Sequence, residues 1–324
     1  MDQRTSRPPP PPQQQPPPPP PQQQQPQPQL VMFDAVMPAD MAARAEESGI
    51  KRAELDPLTL LVLAVLGGAF VAFGAVFATT VTAGSAAITS ADGGATLAAG
   101  LPYGIVRLLT GVTFCLGLVL VVVGGAELFT GNVLIVMAWA SHKVTTRAVL
   151  QNWTLAFTGN FIGAIATAAL VFFSTQYTFG GGSVGLVALN TAHAKTSLAF
   201  LPALTLAILC NTLVCLAVWM CYGARTTIDR VVTVVPPIAG FAAAGFEHSI
   251  ANIYFIPLGL FIKAGAPDSF WTSIGKTAAD FPNLTWWNFA ANLVPVTIGN
   301  IIGGAVLVAA VYWFIYLRQQ PAAR

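Results

Sequence analysis

The chain has 324 residues, of which 55% are hydrophobic and only 9% are charged. That balance, with apolar runs long enough to cross a bilayer, excludes an ordinary soluble domain and indicates a polytopic helical membrane protein. A net charge of +2 gives no footing for binding nucleic acid.

In chain order, residues 1–30 come first, a run of proline and glutamine. It cannot bury enough apolar surface to offset its conformational entropy, so it reads as a disordered, partly polyproline II tail or, alternatively, a docking site for a proline-recognising partner. Residues 31–55 read as an amphipathic helix at the membrane surface, with Asp40 as its cap. Met41, Ala42, Ala45 and Ile50 lie on one side of it, and Arg44, Glu46 and Glu47 face water. A plain solvated linker is the alternative. Residues 56–318 hold six apolar segments, at about 58–82, 104–140, 147–174, 197–222, 230–262 and 286–317, and 319–324 form a short C-terminal tail.

The second and fifth segments are too long. As one helix the second would run about 50 Å, against a hydrocarbon core of about 30 Å. It contains Gly124-Gly125-Ala126-Glu127, and the fifth contains Pro236-Pro237, Gly240 and Gly245-Phe246-Glu247. Each is expected to be two half-helices around a non-helical break, which a membrane tolerates only where protein or a cavity satisfies the freed backbone. Basic residues cluster on the side that holds both termini: Arg44, Lys51, Arg52, Lys143, Arg147, Arg225, Arg230, Arg318 and Arg324. Lys195, Lys263, Lys276 and Arg107 fall opposite, so both termini are expected in the cytoplasm. Cys115, Cys210, Cys215 and Cys221 all lie in apolar stretches and read as buried free thiols.

An internal repeat runs through these segments. GAELFTGN (125–132) and GFEHSIAN (245–252) share G-x-E-x-x-x-[GA]-N. Gly159-Asn160-Phe161-Ile162-Gly163 matches Gly299-Asn300-Ile301-Ile302-Gly303, each a GxxxG that lets helices approach closely. Three spans per half is an odd number, so the halves must insert with opposite topology. Such inverted repeats place their site near the midplane, where the broken helices meet.

The polar residues at the breaks carry the candidate chemistry. Glu127 and Glu247 occupy matching positions, and either they brace their breaks by accepting free backbone N–H groups or they relay protons. His248 has no twin, because Leu128 stands at the matching position. A lone histidine in an apolar stretch is usually a satisfied core residue. Its place on a repeat break and its loss of symmetry point instead to a chemical role, either donating hydrogen bonds to an anion or exchanging protons near neutral pH. Thr130 can hydrogen-bond it across the breaks, or can simply cap a helix. Phe114, Leu118, Phe129 and Phe241 read by themselves as packing; lining a pore, they would form apolar constrictions that exclude bare ions.

GAELFTGN, NTLVCLAVWM, GFEHSIANIYFIPLGL and NLVPVTIGNIIGG resemble the signature segments of the formate/nitrite transporter family, most closely its formate-channel branch, from about Phe33 to Arg318. The resemblance implies an all-α homopentamer whose protomers each hold six transmembrane helices in an aquaporin-like inverted 3+3 repeat, with helices 2 and 5 broken. It makes His248 the central pore histidine and Thr130 its partner. Leu118 and Phe129 belong to a cytoplasmic constriction, and Phe114 and Phe241 to a periplasmic one. Lys195 becomes a vestibule lysine that attracts anions, and Asn211 a pore-lining asparagine. The N-terminal helix resembles the family segment that moves at the cytoplasmic mouth.

The implied function is transport of formate and related small monovalent anions across the inner membrane, without a cofactor or metal. Nitrite or hydrosulfide transport by the same fold is the nearest alternative, and a cation-coupled secondary transporter is another. An enzyme such as a membrane haem oxidoreductase ranks lower, since bis-histidine ligation needs two histidines in apolar spans and only His248 qualifies.

Overall fold

The structure is a computed structural model and describes residues 35–83 and 101–318. The Pro/Gln-rich tail and the C-terminal tail expected from the sequence lie outside the described residues.

Helix α1 (Pro38–Ala53) starts at a proline, whose missing N–H is no loss in a first turn. Its N-cap is Met37 rather than Asp40, which sits within the first turn, while Lys51 and Arg52 occupy the last turn. Both placements favour the helix dipole. The expected apolar side, Met41, Ala42 and Ala45, packs on Leu134, Met137, Cys215, Val218 and Trp219. Protein, not lipid, therefore covers it. Glu46 departs from the expected water-facing side: it is buried and pairs with Lys143, because α1 lies over the end of the bundle that carries that lysine.

Six apolar units follow, as the sequence segments require. Helix α2 (Pro57–Thr82) is capped by the Asp56 carboxylate, which accepts from Thr59 N at 3.0 Å. The second unit is α3 (Tyr103–Gly124) and α4 (Phe129–Ala140); α5 (Thr146–Phe173) is the third. After α6 (Ser183–Thr196) come α7 (Phe200–Gly223), then α8 (Thr227–Ala244) and α9 (Ser249–Gly265), which form the second interrupted unit. A short α10 (Asp268–Ile274) leads to α11 (Trp286–Tyr316), whose stretch Ile302–Ala310 is π-helical. Outward-facing Leu58, Val62, Phe73, Leu170, Phe173, Leu201 and Leu209 remain exposed, as a lipid-facing surface requires.

Both interruptions are built alike. Gly125 and Gly245 end their helices in the left-handed region, each at φ 78°, where a side chain would be strained. Ala126 N then donates back to Val121 O at 3.0 Å, and Phe246 N to Phe241 O at 3.1 Å. Pro236 and Pro237 lie inside α8 and do not break it. The pieces ahead of the breaks are therefore not half-helices: α3 has 22 residues and α8 has 18, lengths of about 33 and 27 Å.

The repeated GxxxG pairs do bring helices together. A Cβ added at Gly159 would lie 2.5 Å from the Ala64 Cβ of α2, and one at Gly299 would lie 2.5 Å from the Leu204 carbonyl of α7. The α2/α5 and α7/α11 pairs are thus counterparts, and α3 packs against α8 between them.

Candidate functional site

At each break the chain leaves main-chain groups without helical partners, and an asparagine from the neighbouring helix takes them up. Asn160 accepts from Phe129 N at 2.8 Å and donates to Ala64 O at 2.6 Å and Glu127 O at 2.9 Å. Asn300 repeats the pattern: it accepts from Ser249 N at 2.9 Å and donates to Ala207 O at 2.9 Å and Glu247 O at 3.0 Å. Both side chains are wholly buried. The side-chain amide suits this role because it offers an acceptor and two donors in one plane.

The glutamates do something else. Glu247 accepts from Lys195 Nζ at 2.8 Å and from Asn252 Nδ2 at 2.6 Å. Asn252 also donates to Asn292 at 2.8 Å, and Asn292 donates to the Lys195 carbonyl at 2.9 Å, which closes a ring. In the other half Glu127 faces Arg52, Oε1 to Nε at 3.5 Å. Asn132 donates to Asn152 at 2.9 Å, and Asn152 donates to the Arg52 carbonyl at 3.0 Å. Arg52 is thus the counterpart of Lys195. The expected bracing of break N–H groups by carboxylates is not what the side chains do: each carboxylate takes a cation, and the asparagines hold the backbone.

His248 and Thr130 meet between the two breaks, with Nε2 and Oγ1 3.0 Å apart. His248 Nδ1 accepts from Ala251 N at 3.1 Å, so the ring proton sits on Nε2 and Thr130 Oγ1 accepts it. His248 also serves as the N-cap of α9. The Thr130 carbonyl accepts from Asn211 Nδ2 at 3.2 Å and from Cys215 Sγ at 3.3 Å.

Three cavities, linked by shared lining residues, lie close to this pair. The first, about 440 Å³, is bordered by Lys195, Glu247, Arg107, His248, Phe114 and Phe241. The second, about 230 Å³, is bordered by Arg52, Glu127, Arg230, Leu118 and Leu128. Between them a space of about 10 Å³ shares Phe114, Phe241 and His248 with the first and Leu118 and Leu128 with the second. Two cavities that each hold charged side chains are therefore separated by an apolar neck that contains one imidazole.

Of the residues singled out in the sequence, His248, Phe114, Leu118 and Phe241 come together at this neck, and Lys195, Glu247 and Glu127 line the cavities beside it. Thr130 reaches the neck only through His248: it is fully buried and borders none of the three cavities. Phe129 does not join them: its ring packs edge-on against Phe157 and Trp153, because the first turn of α4 points it at α5. Asn211 borders none of the three cavities. It is fully buried, donates to the Asn300 carbonyl at 2.6 Å as well as to Thr130, and so ties the two breaks together. The cysteines are free thiols. Sequence reasoning missed Leu128 as a neck residue, although its place opposite His248 in the repeat marked it. It also missed the asparagines. Their signal was Asn152 and Asn160 in one half and Asn292 and Asn300 in the other, at the same separation.

A helical bundle with inverted halves, two interrupted helices meeting inside it, and cavities with charged side chains on either side of an apolar neck belongs to the class of multi-pass membrane proteins built around a central pathway. The Formate/nitrite transporter family profile matches residues 39–314. The chain is 43% identical to the formate channel FocA of Escherichia coli (strain K12) over 288 residues, which cover 89% of this chain and 96% of that one. It is 34% identical to a probable formate transporter of Methanothermobacter thermautotrophicus, covering 87% and 97%. A solved pentameric formate channel with formate bound superimposes with a TM-score of 0.73 at 41% identity, over 81% of this chain and 98% of that one. An FNT family ion channel at 24% identity shares the fold with a TM-score of 0.68. The chain belongs to the formate/nitrite transporter family.

Proposed function

We propose that the chain is a homopentameric inner-membrane channel for formate and related small monovalent anions, with residues 56–318 as the channel body. The likeness to formate channels over most of the chain supports the substrate, and the pentameric neighbour supports the assembly. Both termini face the cytoplasm. Arg44 of α1 donates to the Tyr222 carbonyl and Lys143 pairs with Glu46, which gathers these basic residues at one end of the bundle. That end holds the Arg52 cavity, which is then the inner one, and α1 lies at its mouth. The Lys195 cavity is the outer one.

The observation that carries the reading is His248, hydrogen-bonded to Thr130, set in an apolar neck between two cavities that each hold charged side chains. Taking a carboxylate out of water costs on the order of 20 kcal/mol in the idealised limit. Two hydrogen bonds to a charged group return about 3–6 kcal/mol. The shortfall favours passage of the neutral acid through the Phe114/Phe241 and Leu118/Leu128 rings. Because Nδ1 is engaged by Ala251 N–H, His248 acts there as a hydrogen-bond donor through Nε2. It does not act as the acid: giving up that proton would leave an anionic ring. The neutral acid is then the form that bulk solvent has already protonated before it enters the neck.

Formate flux in proteoliposomes tests this. His248→Phe and Thr130→Ala should each cut flux across the pH range without changing the shape of its pH dependence; wild-type flux in both would remove the pair from the mechanism.

A further inference from the structure

The outer cavity contains two cations among its described lining residues, Arg107 and Lys195, and one carboxylate, Glu247. Lys195 lies 2.8 Å from Glu247, whose side chain is almost wholly buried, so that pair presents little net charge. Arg107 has no carboxylate partner among the described residues. Its Nε donates to the Ala243 carbonyl and its Nη2 to the Ala242 carbonyl, each at 2.8 Å, at the end of α8. Nη1 makes no hydrogen bond among the described residues.

We propose that Arg107, rather than the Lys195–Glu247 pair, supplies the net positive charge that concentrates anions in the outer cavity, and so sets affinity for entry from that side. This rests on the channel reading above. The last carbonyls of a helix carry roughly half a negative charge. Those of α8 border the cavity beside Gly245, where an approaching anion meets them. The guanidinium fork engages two of them and adds a full positive charge, which reverses the sign at that wall. A planar fork is suited to two adjacent carbonyls while its remaining amino group stays available to an anion. In the other half Arg52 faces Glu127, as Lys195 faces Glu247. Neither of those cations is free of a carboxylate, which leaves Arg107 as the source of attraction on the outer side.

The test uses the full-length protein in proteoliposomes and in detergent. Formate uptake is measured against formate concentration and ionic strength, and broadening of the carbon-13 formate resonance is measured on the solubilised protein. Arg107→Gln should raise the half-saturating concentration about tenfold, the lower end of what charge focusing in a cleft supplies. Maximal flux should stay within about twofold, since the neck is untouched. Uptake should also lose most of its salt sensitivity, because screening then has less charge to act on. Arg107→Lys keeps the charge without the fork and should stay near wild type in affinity. Half-saturation, salt dependence and line broadening unchanged in Arg107→Gln would overturn the proposal. So would Arg107→Lys behaving as poorly as Arg107→Gln while eluting as the same oligomer, since fork geometry and not charge would then matter. Should Arg107→Gln fail to assemble, the lysine variant alone decides, by keeping or losing affinity. If the wild-type protein passes no formate, the channel reading fails. The broadening experiment then judges Arg107 separately: a loss confined to the glutamine variant supports the proposal, and equal broadening in all three proteins, or none in the wild type, overturns it.

Discussion

Replacing Asn300 with alanine should loosen the second break and misplace His248 together. The side chain makes three hydrogen bonds, from Ser249 N and to the Ala207 and Glu247 carbonyls, all at 2.9–3.0 Å and wholly buried. Asn300→Ala leaves one N–H and two carbonyls facing the space that the amide filled. The Ala207 carbonyl lies inside α7 and keeps its helical N–H, so two groups are left unpaired, and at about 1–3 kcal/mol each they cost at least about 2 kcal/mol. Hydrogen bonds within bilayers measure about 0.6 kcal/mol on average, because segments unfolded in the membrane find other partners, and three of those sum to about 2 kcal/mol. The break has no helical partner to fall back on, so the expected loss is at least about 2 kcal/mol. It can be read from detergent-titrated unfolding followed by the fluorescence of the seven tryptophans. Because Ser249 follows His248 directly, formate flux should fall with it. Asn160→Ala should cost a similar amount while shifting Thr130 instead. An Asn300→Ala protein within about 0.5 kcal/mol of wild type, a difference typical of an ordinary surface change, would refute the bracing argument.

Lys195→Met should destabilise by about 3–5 kcal/mol, since it leaves the buried Glu247 carboxylate without its cation; adding Glu247→Gln should recover most of that in the same unfolding assay. Gly299→Val places a Cβ 2.5 Å from the Leu204 carbonyl and should cost about 1–3 kcal/mol by forcing α7 and α11 apart, visible as a lower midpoint of unfolding. Leu128→Ala should widen the neck and admit bare ions, measured as chloride conductance in planar bilayers. Phe129→Leu should lower stability without changing that conductance, since its ring packs on Phe157 and Trp153 away from the neck.

How much of this was legible in the sequence differs between backbone and side chains. Hydrophobic length is a local property, so the six units and the excess length of two of them could be read directly. The breaks were marked by Gly125 and Gly245, since a left-handed residue in an apolar helix calls for glycine. The repeat then paired the halves, because the same motifs recur in the same order. It also singled out His248, whose twin is Leu128. Proline misled: Pro236-Pro237 reads as a breaker, yet in α8 both lie within a continuing helix.

What each polar side chain does was decided only by the tertiary structure. A motif shows that Glu127 and Glu247 are equivalent, but not that Arg52 and Lys195, from helices outside the motif, reach them before any break N–H does. Asn211 read as a lining residue through the family resemblance; packing turns it inward, where it joins Thr130 O to Asn300 O. Phe129 and Leu128 are neighbours in sequence, and only the first turn of α4 decides that the leucine faces the neck and the phenylalanine faces α5. The periodicity of one chain segment records which residues share a face. Which partner that face meets depends on segments far away in the chain, and so appears only when the helices are packed.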